Sequence, residues 1–218
     1  MSDSTDRLDL EDKLKKTEKI RTYYESKMGQ GLPDYGVLGW ESEKAQQLRF
    51  DMLINAVPLE GKALLDIGCG MGNLLEYLDT KGINVRYTGV DILQSMIEYA
   101  ECKRLNGEFC CLDVFDDNSF NGRSFDIVYT SGIFNLNLGN NREFLLKALN
   151  KMLDFAKDAV VFNLLHKDSP DREDKYFYYD PEEVRELLEN FPGIEKVNIK
   201  EQYLNNDFTV VCHKKGIK

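Results

Sequence analysis

The sequence predicts an α/β fold built on a mostly parallel sheet with helices on both faces, and three observations predict it. Short apolar runs of strand length alternate with stretches of helical period between residues 64 and 165. The first run closes on an acidic residue followed by glycines at alternate positions, Gly68, Gly70 and Gly72. The last two runs are joined by only Leu204-Asn205-Asn206-Asp207, which is too short for a parallel crossover and reads as an antiparallel hairpin.

Each element follows from its own residues. Leu64 to Ile67 is an apolar strand carrying Asp66 at its end, and Gly68-Cys69-Gly70-Met71-Gly72 turns it into a helix. Alternate glycines let the backbone turn sharply and approach a ligand more closely than any Cβ permits. The helix that follows offers free N–H groups, so the loop suits a nucleoside. A dinucleotide fingerprint would place its third glycine one position later, where Asn73 stands. Leu74, Leu75 and Leu78 give the helix its apolar face. Val85 to Asp91 is the second strand, and its terminal carboxylate can accept both hydroxyls of a ribose. Ser95 and Glu98 form a capping-box pattern for the next helix. Glu108 to Leu112 is the third strand and ends at Asp113-Val114.

Phe125 to Thr130 is a buried fourth strand, with Ser131-Gly132-Ile133-Phe134-Asn135 at its carboxyl end, the edge of an open parallel sheet where ligands sit. A helix from near Asn140, with Glu143 completing its cap, carries a core stripe of Phe144, Leu145, Ala148, Leu149, Met152 and Leu153. Ala159 to Leu165 is the fifth strand and leads to His166-Lys167-Asp168. Asp180-Pro181-Glu182-Glu183 combines an N-cap, a proline at the first helical position and first-turn glutamates. That helix buries Val184, Leu187, Leu188 and Phe191 before Pro192-Gly193 stops it. Ile194 to Tyr203 and Phe208 to His213 are the hairpin strands.

The glycine loop, Asp91, Asp113 and the Ser131 to Asn135 segment together resemble the motifs of the class I S-adenosylmethionine-dependent methyltransferases, over about residues 60 to 215. The resemblance implies a seven-stranded sheet of order 3-2-1-4-5-7-6 with strand 7 antiparallel. It implies S-adenosylmethionine as cofactor, S-adenosylhomocysteine as product and no metal. It also implies that Asp66, Gly68, Cys69, Gly70 and Gly72 lie beneath the methionine part of the cofactor, and that Asp91 binds the ribose. Ile92 would pack on the adenine face, Asp113 with Val114 would meet the adenine amino group, and Ser131 would border the cofactor. Gly36 to Trp40, Ser42 and Gln46 to Phe50 resemble the entry segment of a group of small microbial methyltransferases of mostly unassigned substrate, as Phe162 to Leu165 resembles a later one. In comparable enzymes an arginine from this entry region pairs with the cofactor carboxylate, which gives Arg49 that role. The alternative is a surface arginine whose stem covers apolar neighbours.

The 218 residues are expected to form one methyltransferase domain, with 1–58 as an N-terminal helical cap or lid and 59–218 as the cofactor-binding core. Hydrophobic residues make up 42% and charged residues 30%, and no Pro- or Ser-rich linker divides them. A formal net charge of −10 lacks the phosphate-neutralising surface on which nucleic-acid binding depends, so no nucleic-acid partner is expected. Lys13, Lys15, Lys16, Lys19, Arg21 and Lys27 are interleaved with Glu11, Asp12, Glu18 and Glu25, the pattern of a solvated helix face. Met1 to Lys19 contains no apolar stretch for secretion or membrane insertion, so a cytoplasmic location is expected. The five cysteines, 69, 102, 110, 111 and 212, form no CxxC pair and no metal set, and reduced thiols are expected. Cys69 alone is placed for oxidation when the cofactor is absent.

Holding a nucleophile in line behind a sulfonium methyl is worth roughly 7 to 11 kcal/mol, more than the 10²- to 10⁴-fold of a general base, so a dedicated base is optional. His166 is the candidate base, a surface histidine being the alternative. Tyr35, Trp40, Phe134, Asn135 and Tyr178 are the candidate substrate-pocket residues, with plain packing the alternative for Trp40 and the tyrosines. The expected acceptor is a small molecule with a hydroxyl, carboxyl or amine. The fourth strand lacks the Asn/Asp-Pro-Pro-Tyr pattern of many nucleobase amino-methyltransferases, and no Asp, Asp and Asn set of the magnesium-dependent catechol enzymes is recognisable. A non-catalytic S-adenosylmethionine-binding protein and an aminopropyl transferase on the same fold remain open. A nicotinamide-dependent oxidoreductase is disfavoured by Asn73. No pattern fixes the oligomeric state.

Overall fold

The computed structural model describes residues 2–115, 120 and 122–216, with side chains from Lys13 onward. The chain divides into two compact units, 1–43 and 44–218. In the first, α1 (Ser2–Glu25) is followed by the one-turn helix α2 (Asp34–Val37). Charges on α1 pair along its own surface, Arg21 with Glu18 at 3.3 Å and with Glu25 at 3.9 Å. Lys27 lies 3.6 Å from the ring centroid of Tyr23. The side chains of Glu11 and Asp12 lie outside the described residues. Tyr35 sits in α2, and the Trp40 N–H donates to its carbonyl at 2.8 Å.

The second unit holds α3 (Glu43–Ala56, its first residue aside), β1 (Ala63–Ile67), α4 (Asn73–Thr80), β2 (Arg86–Asp91), α5 (Gln94–Cys102), β3 (Gly107–Cys111) and β4 (Phe125–Thr130). It continues with α6 (Asn141–Phe155), β5 (Ala156–Leu165), α7 (Pro181–Glu189), β6 (Ile194–Leu204) and β7 (Asp207–Lys214). The strands form one sheet of order β3-β2-β1-β4-β5-β7-β6, the expected order. The first five are parallel, and β7 runs antiparallel to β5 and β6.

A parallel sheet is covered on both faces, so its strands must be apolar on both. On one face α3 and α4 bring Phe50, Leu53, Leu74 and Leu78 against Leu64, Ile127, Tyr129 and Val161. On the other, α6 and α7 bring Leu145, Leu149, Met152 and Leu188 against Leu65, Val128, Val160 and Phe162. Although its place in the sequence put α3 with the N-terminal cap, its Phe50 and Leu53, and Val57 just after it, are buried in the core of the sheet unit. No helix among the described residues is long and apolar enough to cross a membrane.

Three local expectations are corrected. Ser95 and Glu98 do not form a capping box, because α5 starts at Gln94 after Leu93 and places Ser95 inside the helix. The Asp91 carboxylate closes that turn, accepting from the Leu93 N–H at 3.0 Å. Asn140 precedes α6 without a side-chain cap bond. Its neighbour Asn141 braces the turn, accepting from the Leu138 N–H at 2.8 Å and donating to the Leu136 carbonyl at 2.7 Å. β5 begins at Ala156 rather than Ala159, where its pairing with β4 continues past an irregularity between Phe125 and Ile127. Asp180 caps α7 as expected, accepting from the Glu182 N–H at 3.0 Å.

Leu149 is fully buried between α6 and the sheet. Leu149→Ala is expected to lower stability by about 2 to 5 kcal/mol in urea unfolding. A loss below about 1 kcal/mol would show that α6 does not pack as described.

Candidate functional site

The carboxyl ends of β1 to β5 share one edge of the sheet, and the loops leaving them carry the candidate residues. After β1 the backbone takes positive φ at Gly68 (+73°), Gly70 (+52°) and Gly72 (+76°), a conformation that strains any other side chain. Gly68 is required for a second reason, since a Cβ there would lie 2.4 Å from Cγ2 of Ile133. The loop is tied to β2. The Gly68 and Cys69 N–H groups donate to the Val90 carbonyl at 2.8 and 3.0 Å, and the Gly70 N–H donates to Asp91 Oδ2 at 3.0 Å. With Leu93 on Oδ1, each oxygen of Asp91 takes one backbone donor. A carboxylate has about four acceptor positions, so with the Ile92 N–H also directed at it Asp91 still keeps acceptor capacity for a ligand. Ile92 is half-buried beside it.

Burial shifts the ionisable groups under this loop. It raises the Asp91 pKa, against the lowering by the Leu93 and Gly70 N–H groups. It pushes Asp66 up to about 7, opposed by a hydrogen bond from the Tyr87 hydroxyl and aided by the charge of Asp91. That hydroxyl donates at 2.6 Å, so Asp66 supports the loop from within the sheet. Cys69 is buried, and burial with Asp66 and Asp91 nearby raises its thiol pKa well above the ordinary value. The expected sensitivity of Cys69 to oxidation is therefore corrected, since the thiolate is the reactive form. All five cysteines are free.

After β3, Asp113 accepts from the Phe115 N–H at 3.1 Å. Val114 is buried in the core cluster that contains Val90 and Phe134, so its side chain is not offered to a ligand. After β4, Ser131 Oγ and Asn135 Oδ1 are buried and carry no hydrogen bond of normal geometry, Ser131 Oγ facing only the Tyr129 hydroxyl. An unmet buried polar group costs about 1 to 3 kcal/mol, which a polar ligand at this edge would offset. Phe134, expected in a substrate pocket, is fully buried with ring centroids of Phe144 and Phe162 at 5.5 and 5.8 Å, and is a core residue. The loop is braced from outside by Phe177, whose N–H donates to the Asn135 carbonyl at 2.8 Å. The Tyr178 hydroxyl accepts from the Glu173 N–H at 2.9 Å, which commits it to its own loop.

Two further expectations meet different geometry. His166 Nδ1 accepts from the Asp168 N–H at 3.0 Å, which assigns the proton to Nε2, facing Glu201 Oε1 at 3.3 Å. Both ring nitrogens are engaged, so neither presents a free lone pair to an acceptor. Arg49 is 3% exposed and turned inward. Its Nε and Nη2 meet Asp207 Oδ2 at 2.9 and 2.7 Å, and its Nη1 donates to the Ala45 carbonyl at 2.7 Å. The pair leads to a buried polar residue to which sequence reasoning gave no role at the site. Asn163 on β5 donates to Asp207 Oδ2 at 2.8 Å and accepts from the Gly132 N–H at 3.1 Å. Its signals were an amide inside the apolar run Ala159 to Leu165 and the family likeness of Phe162 to Leu165, neither of which assigned it a partner.

A groove of about 650 Å³ lies at the opposite edge, beside Arg86, Thr88, Glu108 and Arg123. Its charges are already matched, Arg123 with Glu108 and Arg86 with Asp126. Among the described residues no group of His, Cys, Asp and Glu is placed to hold a metal ion.

A family model described as a methyltransferase domain matches residues 64–166. The Mycobacterium tuberculosis protein named "Putative methyltransferase Rv1506c" is 31% identical over 158 residues, 68% of this chain and 91% of that protein. Among solved structures, magnesium protoporphyrin IX methyltransferase (ChlM) from Synechocystis PCC 6803 with bound S-adenosylhomocysteine aligns with a TM-score of 0.60 at 15% identity, covering 91% of this chain and 94% of that one. The plantazolicin methyltransferase BamL, in complex with a triazolic desmethylPZN analog and S-adenosylhomocysteine, aligns with a TM-score of 0.62 at 14% identity, covering 93% and 98%. At these identities the two structures show a shared fold.

Asp66 gives the site a pH signature. Its folded pKa of about 7 lies above the ordinary carboxylate value of about 3.9, so between them the folded state holds a proton that the unfolded state has released. This contribution to stability is full below pH ~4 and is lost as pH rises through about 7, and the raised Asp91 acts with the same sign. Asp66→Asn is expected to flatten the decline in melting temperature between about pH 5 and pH 8. An unchanged slope would assign the titration to another group.

Proposed function

The chain belongs to the methyltransferase family, and on that premise we propose that it moves the methyl group of S-adenosylmethionine to a small-molecule acceptor by in-line displacement. The observation that carries this reading is the Asp91 carboxylate, fixed from behind by the Gly70 and Leu93 N–H groups with acceptor capacity left for a ligand. A ribose would meet a carboxylate whose orientation is already set, so little ordering is lost on binding. Both solved neighbours were determined with S-adenosylhomocysteine bound, which supports the same cofactor here.

Bound at this edge, the cofactor supplies an electrophilic methyl group on a sulfonium sulfur. Asp91 accepts the ribose hydroxyls, Ile92 offers apolar surface to the adenine, and Asp113 accepts from the adenine amino group. The backbone turn made by positive φ at Gly68, Gly70 and Gly72 would carry the methionine part at the end of β1. Ser131 Oγ and Asn135 Oδ1 supply uncharged partners for polar groups of cofactor or acceptor. Rate enhancement comes from alignment and exclusion of water, roughly 7 to 11 kcal/mol for well-placed reactants. His166 braces its own loop instead of taking a proton. The acceptor is a hydroxyl, carboxyl or amine of a small molecule, and His166 is not the group that takes its proton.

The small-molecule class is supported by a net charge of −10, which disfavours polyanionic substrates. The two solved neighbours are named for magnesium protoporphyrin IX and plantazolicin. Calorimetric titration with S-adenosylmethionine, S-adenosylhomocysteine and NAD is expected to show binding of the two sulfur nucleosides alone. Asp91→Ala should weaken that binding by about 1 to 3 kcal/mol, the usual cost of removing hydrogen bonds to a charged group. Equal affinity in the variant would remove the ribose assignment, and failure of both nucleosides to bind the wild-type chain would overturn the reading.

A further inference from the structure

Behind the loop that follows β4, three elements converge on one fully buried carboxylate. Asp207 opens β7 and pairs in register with Leu165, which places it at the carboxyl edge of the parallel strands. Its Oδ2 accepts from Arg49 Nε, Arg49 Nη2 and Asn163 Nδ2 at 2.9, 2.7 and 2.8 Å, and its Oδ1 accepts from the Tyr203 hydroxyl. The Arg49 and Asp207 side chains are 3% and 0% exposed. An ionised carboxylate only accepts, so it holds the Asn163 amide in one orientation, with Nδ2 toward Asp207 and Oδ1 toward the Gly132 N–H.

A buried ion pair adds little stability over apolar residues of similar volume, because desolvation consumes most of the attraction. Here the pair adds direction. Gly132, at φ +93°, stands between Ser131 and Ile133. Ile133 Cγ2 fills the space a Cβ on Gly68 would need. Any displacement of Gly132 therefore moves the side chain that covers the glycine loop, together with the unbonded Ser131 Oγ. We propose that Arg49, Asp207 and Asn163 form a positioning relay for methyl transfer, fixing the β4 loop over the glycine loop without touching cofactor or acceptor. The proposal rests on the reading of this edge as the S-adenosylmethionine site.

Asn163→Leu tests it, since leucine matches the volume, suits the apolar surroundings, leaves the Arg49–Asp207 pair intact and removes both amide bonds. The expected result is a chain that still melts cooperatively, binds S-adenosylhomocysteine about tenfold or more weakly by calorimetry, and exchanges its Gly132 amide proton about tenfold or more faster. A folded variant with wild-type affinity would overturn the relay. Asn163→Asp provides the second arm, because a protonated aspartic acid can donate to Asp207 and accept from Gly132 as the amide does, whereas the ionised form faces a like charge. Its affinity relative to wild type at the same pH is expected to recover as pH falls from about 8 to about 5. A ratio independent of pH would overturn the relay even if Asn163→Leu failed to fold. Absence of binding by the wild-type chain would instead overturn the cofactor reading, and the Gly132 exchange rates would still decide whether the relay holds the loop.

Discussion

The carboxylate of Asp91 receiving the Gly70 N–H is the contact on which the candidate site depends. Positive φ at Gly68, Gly70 and Gly72 leaves amide groups of the loop after β1 outside any helix or strand ladder. Val90 accepts two of them through its carbonyl and Asp91 takes the third through its side chain. The other oxygen of Asp91 closes the turn into α5, so one residue sets the loops on both sides of β2. Burying this charge raises its pKa, and the backbone donors offset part of that cost. A carboxylate that is the structural clamp of its loop is ordered before a ligand arrives, which is where affinity is gained without new contacts.

The far side of the edge is held by the same device with one more link. Asp207 acts on a backbone amide as Asp91 does, but through the Asn163 side chain, and the amide is that of Gly132. Ile133 against Gly68 then joins the two loops. Both carboxylates sit where the sheet topology puts them, Asp91 at the end of a parallel strand and Asp207 at the start of the antiparallel strand β7. An antiparallel β7 is therefore more than a closing strand, since a parallel strand in its place would present its last residue, not its first, to this edge.

What was legible in the sequence was periodic or local. The alternation of strand and helix and the short turn before β7 predicted a parallel sheet closed by an antiparallel hairpin, the family resemblance supplied the strand order, and the glycine loop and Asp91 are contiguous signals at strand ends. What failed depended on which partner each side chain or turn takes in the folded chain. The helical pattern around Arg49 marked a face but not its partner 158 residues away, so a cofactor role was assigned to a guanidinium already committed to Asp207. Phe134 fell in a motif at the ligand edge, yet packing against Phe144 and Phe162 takes its ring inward. Ser95 matched a capping box on local grounds, but the Asp91 carboxylate closes the turn first. His166 followed β5 at the right edge, and only the Asp168 and Glu201 contacts reveal that its nitrogens are engaged.

The most direct test of the central claim is an amide-resolved NMR titration of the whole chain with S-adenosylhomocysteine. The account predicts that the largest shifts fall on Gly68 to Gly72, on Ile92 and Leu93 beside Asp91, and on Ser131 to Asn135. Shifts concentrated at the opposite edge of the sheet, around Arg86 and Arg123, or a spectrum unchanged by the ligand, would contradict it.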